Sequence, residues 1–179
     1  KVKPAAKKAA APAQAKVAPK AEKVKAKPIR DSFTMPREDW DHHVSDALYQ
    51  EGVTVVALAG YLRRVSSVLL EAFPDRILNV HPALLPAFGG QGMYGLRVHR
   101  AVLEHGCKVT GCTVHFVNEH YDMGPIVAQA CVPVEDDDTP ESLALRVLAQ
   151  EHRLYPQCIE WLAHDRLRVE GRRVKRKTL

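Results

Sequence analysis

Apolar positions along the chain fall into runs of two kinds, and the two kinds alternate. VTVVALAG, residues 53–60, is a continuous apolar run of strand length without polar alternation, the pattern of a strand covered on both faces. RILNVH (76–81), VTGCTVHFV (109–117) and IVAQACVPV (126–134) read as further strands, the last two around the loop NEHYDMGP. Between them the spacing turns helical. A helix is predicted from about residue 35 in MPREDWDHHVSDALYQEG, with Pro36 near its start, Trp40, Val44, Ala47 and Leu48 on one stripe, and Gly52 as its stop. SSVLLEAF (66–73) and GLRVHRAVLEHG (95–106, closed by Gly106) follow. Thr139 then caps a long amphipathic helix with Pro140 in its first turn and Leu143, Val147, Leu148 and Trp161 along it. Pro156 is expected to kink or divide that helix. Alternating strands and helices predict an α/β sheet domain.

Composition separates the ends from the body. The 179 residues suit one domain of ordinary size with a tail. Residues 1–28 are almost wholly Ala, Lys, Pro and Val, with nine Lys against one Glu and no aromatic. They read as a disordered arm. The predicted organisation is an arm over 1–30, a folded domain over 31–174 and a basic tail over 175–179. The net charge of +5 hides a contrast: residues 29–165 hold ten basic and nineteen acidic residues, and residues 166–179 hold seven basic and one acidic. Basic ends of this kind offer sequence-independent contact with RNA, DNA or a ribosome, or serve only as solubilising sequence. No apolar run reaches 18 residues and no charged-then-apolar leader is visible, so neither a membrane span nor a signal peptide is expected. Cys107, Cys112, Cys131 and Cys158 fall at irregular spacings without a CxxC pair, which suits reduced thiols of a cytoplasmic protein and matches no zinc ligand pattern.

The candidate chemistry sits at the end of one strand. In RILNVHPALLPAFGG, Asn79 and His81 are two positions apart, so they project to one face at the strand's carboxyl end, where α/β sheets place ligands. Asp122 lies in the turn sequence YDMGP. An amide donor, an imidazole and a carboxylate make a kit for acyl transfer. Asn79 would stabilise a developing oxyanion, His81 would act as acid, and Asp122 would raise the imidazole's pKa. Taken singly, an Asn or His at a strand end is more often a satisfied capping group.

RILNVHPALLPAFGG, GCTVHFVNEHYDMGPIVAQACVPV and LAQEHRLYPQCIEWL resemble the phosphoribosylglycinamide formyltransferases, folate-dependent enzymes of purine biosynthesis within a broader formyltransferase family. The resemblance runs from about residue 35 to 174. It implies a Rossmann-like fold, a mostly parallel sheet flanked by helices. It also implies transfer of a formyl group from 10-formyltetrahydrofolate to the amine of glycinamide ribonucleotide, with no metal. Asn79, His81 and Asp122 match the catalytic trio. LAGYLRRV matches the folate-pocket segment, placing Leu62, Arg63 and Val65 on the pterin side, and His115 and Val117 match the opposite wall. His115 and Glu151, the latter in AQEH, are the positions implied to meet the ribonucleotide.

Family members begin with a strand and a Gly/Ser-rich loop that holds the substrate's phosphate, and such a cradle needs glycines. No glycine precedes Gly52 here, and the Ala/Lys arm stands in that place. The expectation is an incomplete domain in which the strand at 53–60 is left as an open edge. Such an edge invites a homodimer or a complementing N-terminal half. Two other readings compete: a formyltransferase-like scaffold binding RNA or a ribonucleoprotein through its basic ends, and a formyltetrahydrofolate deformylase, which uses water in place of the amine. Methionyl-tRNA formyltransferase fits less well, since only a short basic stretch follows the domain.

Overall fold

The computed structural model describes residues 36–177. The predicted arm therefore lies outside the described residues. Elements follow in the order α1 (Arg37–Gln50), β1 (Val56–Leu58), α2 (Ser67–Ala72), β2 (Ile77–His81), α3 (Leu96–Glu104), β3 (Val109–Phe116), β4 (Ile126–Pro133), α4 (Pro140–Ala163), β5 (Leu167–Glu170) and β6 (Arg173–Arg176). The strands form one sheet in the order β1-β2-β3-β4-β6-β5. β1 and β2 are parallel, as are β4 and β6, while β3 and β5 run against their neighbours. Four of the six strands thus share one direction, which gives the expected mostly parallel sheet with flanking helices its mixed character.

Three packed clusters hold the sheet. Leu78, Val114 and Phe116 meet Cys158 and Leu162 of α4. Val102 of α3, Cys112 and Val132 meet Leu143 and Val147 at the other end of α4. Val65, Leu69, Phe73 and Ile77 form the third beneath α1, whose Val44 and Leu48 pack against them. α4 begins on a reciprocal cap: Thr139 Oγ1 accepts from the Ser142 N–H, and Ser142 Oγ accepts from the Thr139 N–H.

Three expectations are corrected. The strand at 53–60 is only Val56–Leu58, it forms the end of the sheet among the described residues, and Ala57 is exposed. Its ladder on β2 stops at Leu58↔Asn79, after which the chain bends away through Gly60 at φ 66°. Pro156 does not divide α4, which runs unbroken over 24 residues. Its ring removes one helical hydrogen bond, but Leu154, Tyr155, Cys158 and Ile159 around it are fixed on the sheet. The predicted tail is in part a strand: β6 runs through Arg176 and pairs with β5 around Gly171–Arg172, with Gly171 at φ 61° in the first loop position. Among the described residues no helix is long and apolar enough to cross a membrane.

Candidate active site

The register of β2 on β3 builds the site. Asn79 lies opposite His115 and His81 opposite Thr113, so all four side chains share a face. His115 Nδ1 donates to the Phe116 carbonyl at 2.8 Å, which leaves Nε2 to accept from Asn79 Nδ2 at 3.2 Å. His81 Nε2 donates to the Phe88 carbonyl at 2.8 Å. Its Nδ1 then faces Asp122 Oδ2 at 3.5 Å, while Asp122 Oδ1 stands 3.6 Å from His115 Nε2.

Two loops bring the partners of His81 to it, and both use backbone that side chains seldom adopt. Phe88 and Asp122 have φ of 54° and 55°. Two non-glycine residues held in the left-handed region, each presenting a group to one imidazole, are the kind of local strain that surrounding structure must enforce. The enforcement is visible. The Gly90 N–H donates to Asp122 Oδ2 at 2.9 Å. A Cβ at Gly89 would lie 2.5 Å from the end of the Leu85 side chain and 3.2 Å from Asp122 Cβ, so a side chain there would have to push Leu85 aside and crowd the Asp122 loop. One at Gly124 would lie 1.7 Å from the Phe116 carbonyl oxygen. Thr113, fully buried, clamps the first loop: its hydroxyl donates to the Ala83 carbonyl at 2.7 Å and accepts from the Leu85 N–H at 3.0 Å and Gln129 Nε2 at 2.9 Å.

Burial sets the protonation states. It works to lower the pKa of His81 and outweighs the raising influence of Asp122 and the Phe88 carbonyl, so the imidazole titrates below its ordinary 6.5. The expected raising by Asp122 is therefore a contribution and not the net result. For Asp122, burial raises the pKa but loses to the combined influence of the neighbouring His115, the His81 charge and the Gly90 N–H, leaving the carboxyl below its ordinary 3.8. The resting pair is a neutral imidazole beside a carboxylate.

The cluster opens on an irregular cleft of about 1340 Å³, whose lining includes Leu62, Asn79, His81, Asp122 and Glu151. A hollow of about 50 Å³ adjoins it, lined by Arg63, Val65, Asn79, His115, Val117 and Asp122 among others. Each of the nine positions singled out in the sequence lines one or other of these two cavities, which share Asn79 and Asp122 in their walls. Their exposure differs. Leu62 is 63 % exposed, whereas Val65 is buried in the core cluster under α1. Arg63 lies over the Trp40 ring at 5.8 Å. Glu151, half-buried on α4, has its pKa raised by burial, against the lowering effect of His152.

Sequence reasoning missed several supports. His99 of α3 also lines the cleft and is buried, with Nδ1 unpartnered among the described residues. Tyr155 of α4 places its hydroxyl between the Leu58 and Leu78 carbonyls, at 2.8 and 2.9 Å, and so ties the ends of β1 and β2 together. A Tyr beside Pro156 in a helix stripe carries no sign of that task, because it depends on which strand ends lie beneath.

A model of the Formyl transferase family matches residues 2–159. The chloroplastic phosphoribosylglycinamide formyltransferase of Arabidopsis thaliana is 54% identical over 123 residues, 69% of this chain and 42% of that protein. Among solved structures, glycinamide ribonucleotide transformylase 1 from Symbiobacterium toebii is 51% identical with a TM-score of 0.74, over 80% of this chain and 65% of that one. A formyltetrahydrofolate deformylase from Pseudomonas syringae pv. tomato str. DC3000 has a TM-score of 0.71 at 24% identity, a likeness of fold alone, covering 80% of this chain and 46% of that one. The chain spans less than two thirds of the length of these relatives.

Proposed function

The chain belongs to the formyl transferase family, and on that premise we propose that it transfers a formyl group from 10-formyltetrahydrofolate to the amine of glycinamide ribonucleotide in purine biosynthesis. One observation carries the reading: a buried imidazole, a carboxylate 3.5 Å from it and an amide donor meet at the wall of an open cleft. Both partners of the reaction are substrates. The positions that would meet the pterin are Leu62 in the wall of the larger cleft and Arg63, Val65 and Val117 in the wall of the adjoining hollow. Glu151 faces the cleft from α4, where with His115 it would meet the ribonucleotide.

Formyl transfer to an amine makes three demands. Negative charge growing on the formyl oxygen must be stabilised, the attacking nitrogen must lose a proton, and the departing nitrogen must gain one. The second N–H of Asn79, the one not given to His115, answers the first. His81 answers the other two. Neutral at rest, its imidazole accepts the amine's proton and returns it to the leaving nitrogen, so no proton is gained or lost overall. Asp122 stabilises the imidazolium in between. The 3.5 Å separation of Nδ1 from Oδ2 is longer than a good hydrogen bond.

The cytoplasm as its compartment and a homodimer through the free edge of β1 belong to the same proposal. They are supported by four free cysteines and by the ladder of β1, which among the described residues is one-sided. The test is tetrahydrofolate release from 10-formyltetrahydrofolate by the purified chain, with and without glycinamide ribonucleotide. Release is expected to need the ribonucleotide and to fall by about 10²–10⁴ in His81→Ala. Equal release without it would identify water as the acceptor and overturn the transfer reading.

A further inference from the structure

The motif RRVKRK is not absorbed by the cleft, and the fold gives it a shape. Leu167 and Val169 of β5 and Val174 of β6 face α4, and Arg176 lies over the Trp161 ring at 4.6 Å on that same side. The register then puts Arg168 opposite Lys175 and Glu170 opposite Arg173 on the outer face, and the Lys177 N–H donates to the Arg166 carbonyl to extend the ladder. Arg168 and Lys175 side chains are 70% and 64% exposed, and Arg173 and Lys177 are exposed as well.

One carboxylate serves this face. Glu170 holds both Arg168, at 3.3 Å, and Lys175, at 2.5 Å. Arg173 and Lys177 have no acidic partner among the described residues. Like charges directly opposite each other cost stability in a ladder, and Arg168 with Lys175 is such a pair. Edge protection explains cations on an outermost strand, which is β5. It does not explain Arg173 and Lys175, because β6 lies inside the sheet between β4 and β5. The rest of the body is acidic, ten basic against nineteen acidic residues over 29–165, so the ribbon is a local reversal of sign.

We propose that the outer face of the β5–β6 ribbon is a binding surface for the phosphodiester backbone of nucleic acid. Cations two residues apart on a strand stand about 6.6 Å apart in a line, a track for a row of phosphates. The ribbon itself has no aromatic residue to stack a base, and Trp161 is on the opposite side under Arg176. Contact is therefore through phosphates alone and indifferent to sequence. RNA and DNA present the same chemistry and are expected to bind alike. This inference does not rest on the proposed transfer reaction.

The test uses the full chain, with fluorescence anisotropy of a labelled oligouridylate and a labelled DNA duplex between about 50 and 200 mM salt. The variant Arg173→Gln/Lys175→Gln/Lys177→Gln should weaken binding of both at least tenfold. It should also reduce the magnitude of the log-log salt slope on the single strand by about 2, roughly 0.7 per lost phosphate contact. Lys175→Arg/Lys177→Arg should bind as the parent does. The melting temperature of each variant reports on folding. An unchanged slope and affinity in the neutralised chain would assign all binding to the lysines of residues 1–28 and overturn the proposal. Binding to vesicles containing phosphatidylserine, with neither oligonucleotide bound, would overturn it in favour of a membrane.

Discussion

β1 and β2 are neighbours, both apolar in sequence, yet they live under different constraints. β2 is paired on both sides, in register with β3 at four positions, and Ile77 and Leu78 are almost wholly buried. β1 is three residues long, paired on one side among the described residues, with Ala57 exposed. Asn79 and His81 of the proposed acid–base cluster stand on β2, and Leu62, proposed to meet the folate, lies in the loop after β1. A proton relay needs atoms held within tenths of an ångström, whereas a wall against which a flat ring lies needs only apolar area. The two regions should therefore respond to change on different scales.

The largest difference is expected from glycines. Gly124→Ala drives a methyl to 1.7 Å from the Phe116 carbonyl oxygen, and Gly111→Ala to 1.9 Å from that of Ala130, both backbone atoms that cannot step aside. Each should cost more than about 4 kcal/mol or prevent folding. Gly60→Ala, in the loop after β1, meets nothing within 4 Å and carries only the strain of φ 66°, about 1 kcal/mol. Urea denaturation compares them, and equal losses would erase the distinction. Next in size is chemistry. His81→Ala should lower kcat/KM for formyl transfer by about 10²–10⁴, while Leu62→Ala, 63 % exposed, should raise KM by less than about tenfold with kcat nearly kept. Core truncation follows. Leu78→Ala should cost about 2–5 kcal/mol, against about 1 kcal/mol for the half-buried Val56→Ala. A Val56 loss as large as that of Leu78 would mean that β1 is covered in solution.

Legibility in the sequence divides along a similar line. Thr139 with Pro140, the burial of Leu143 and Val147, and the paired projection of Asn79 and His81 follow from local rules of capping and periodicity, and the structure has them, whereas Leu148 of the same predicted stripe is exposed at the cleft. The ribbon is legible in principle, since LRVEGRRVKR alternates apolar and charged positions around a glycine, although a run so rich in charge equally suits a solvated tail. The short extent of β1 was not legible, because an apolar run states what could be buried and not how far a neighbour's ladder reaches. Thr113, Tyr155 and His99 were not legible either. Their roles arise from cross-strand register and from which backbone carbonyls lie within reach.

The smallest expected effect probes the relay itself. His81 titrates below 6.5 when folded, so near that pH the unfolded chain binds more protons, and the stability owed to the neutral imidazole is full above 6.5 and declines as pH falls toward the folded value. Asp122, also lowered, adds stability that is present above its ordinary 3.8 and is lost as pH falls through its folded value. Acid should therefore destabilise in two separate windows, and kcat/KM should fall on the acid side with a midpoint below 6.5. The groups facing His81 work in opposite directions: burial and His115 lower its pKa, while Asp122 and the Phe88 carbonyl raise it. Asp122→Asn removes one raising influence, so the His81 midpoint should move further down even as the maximal rate drops. NMR titration of the His81 ring in both proteins measures this directly. A midpoint that rises in Asp122→Asn would mean that the carboxylate 3.5 Å away does not govern the imidazole, and the pairing of the two on constrained backbone would need another explanation.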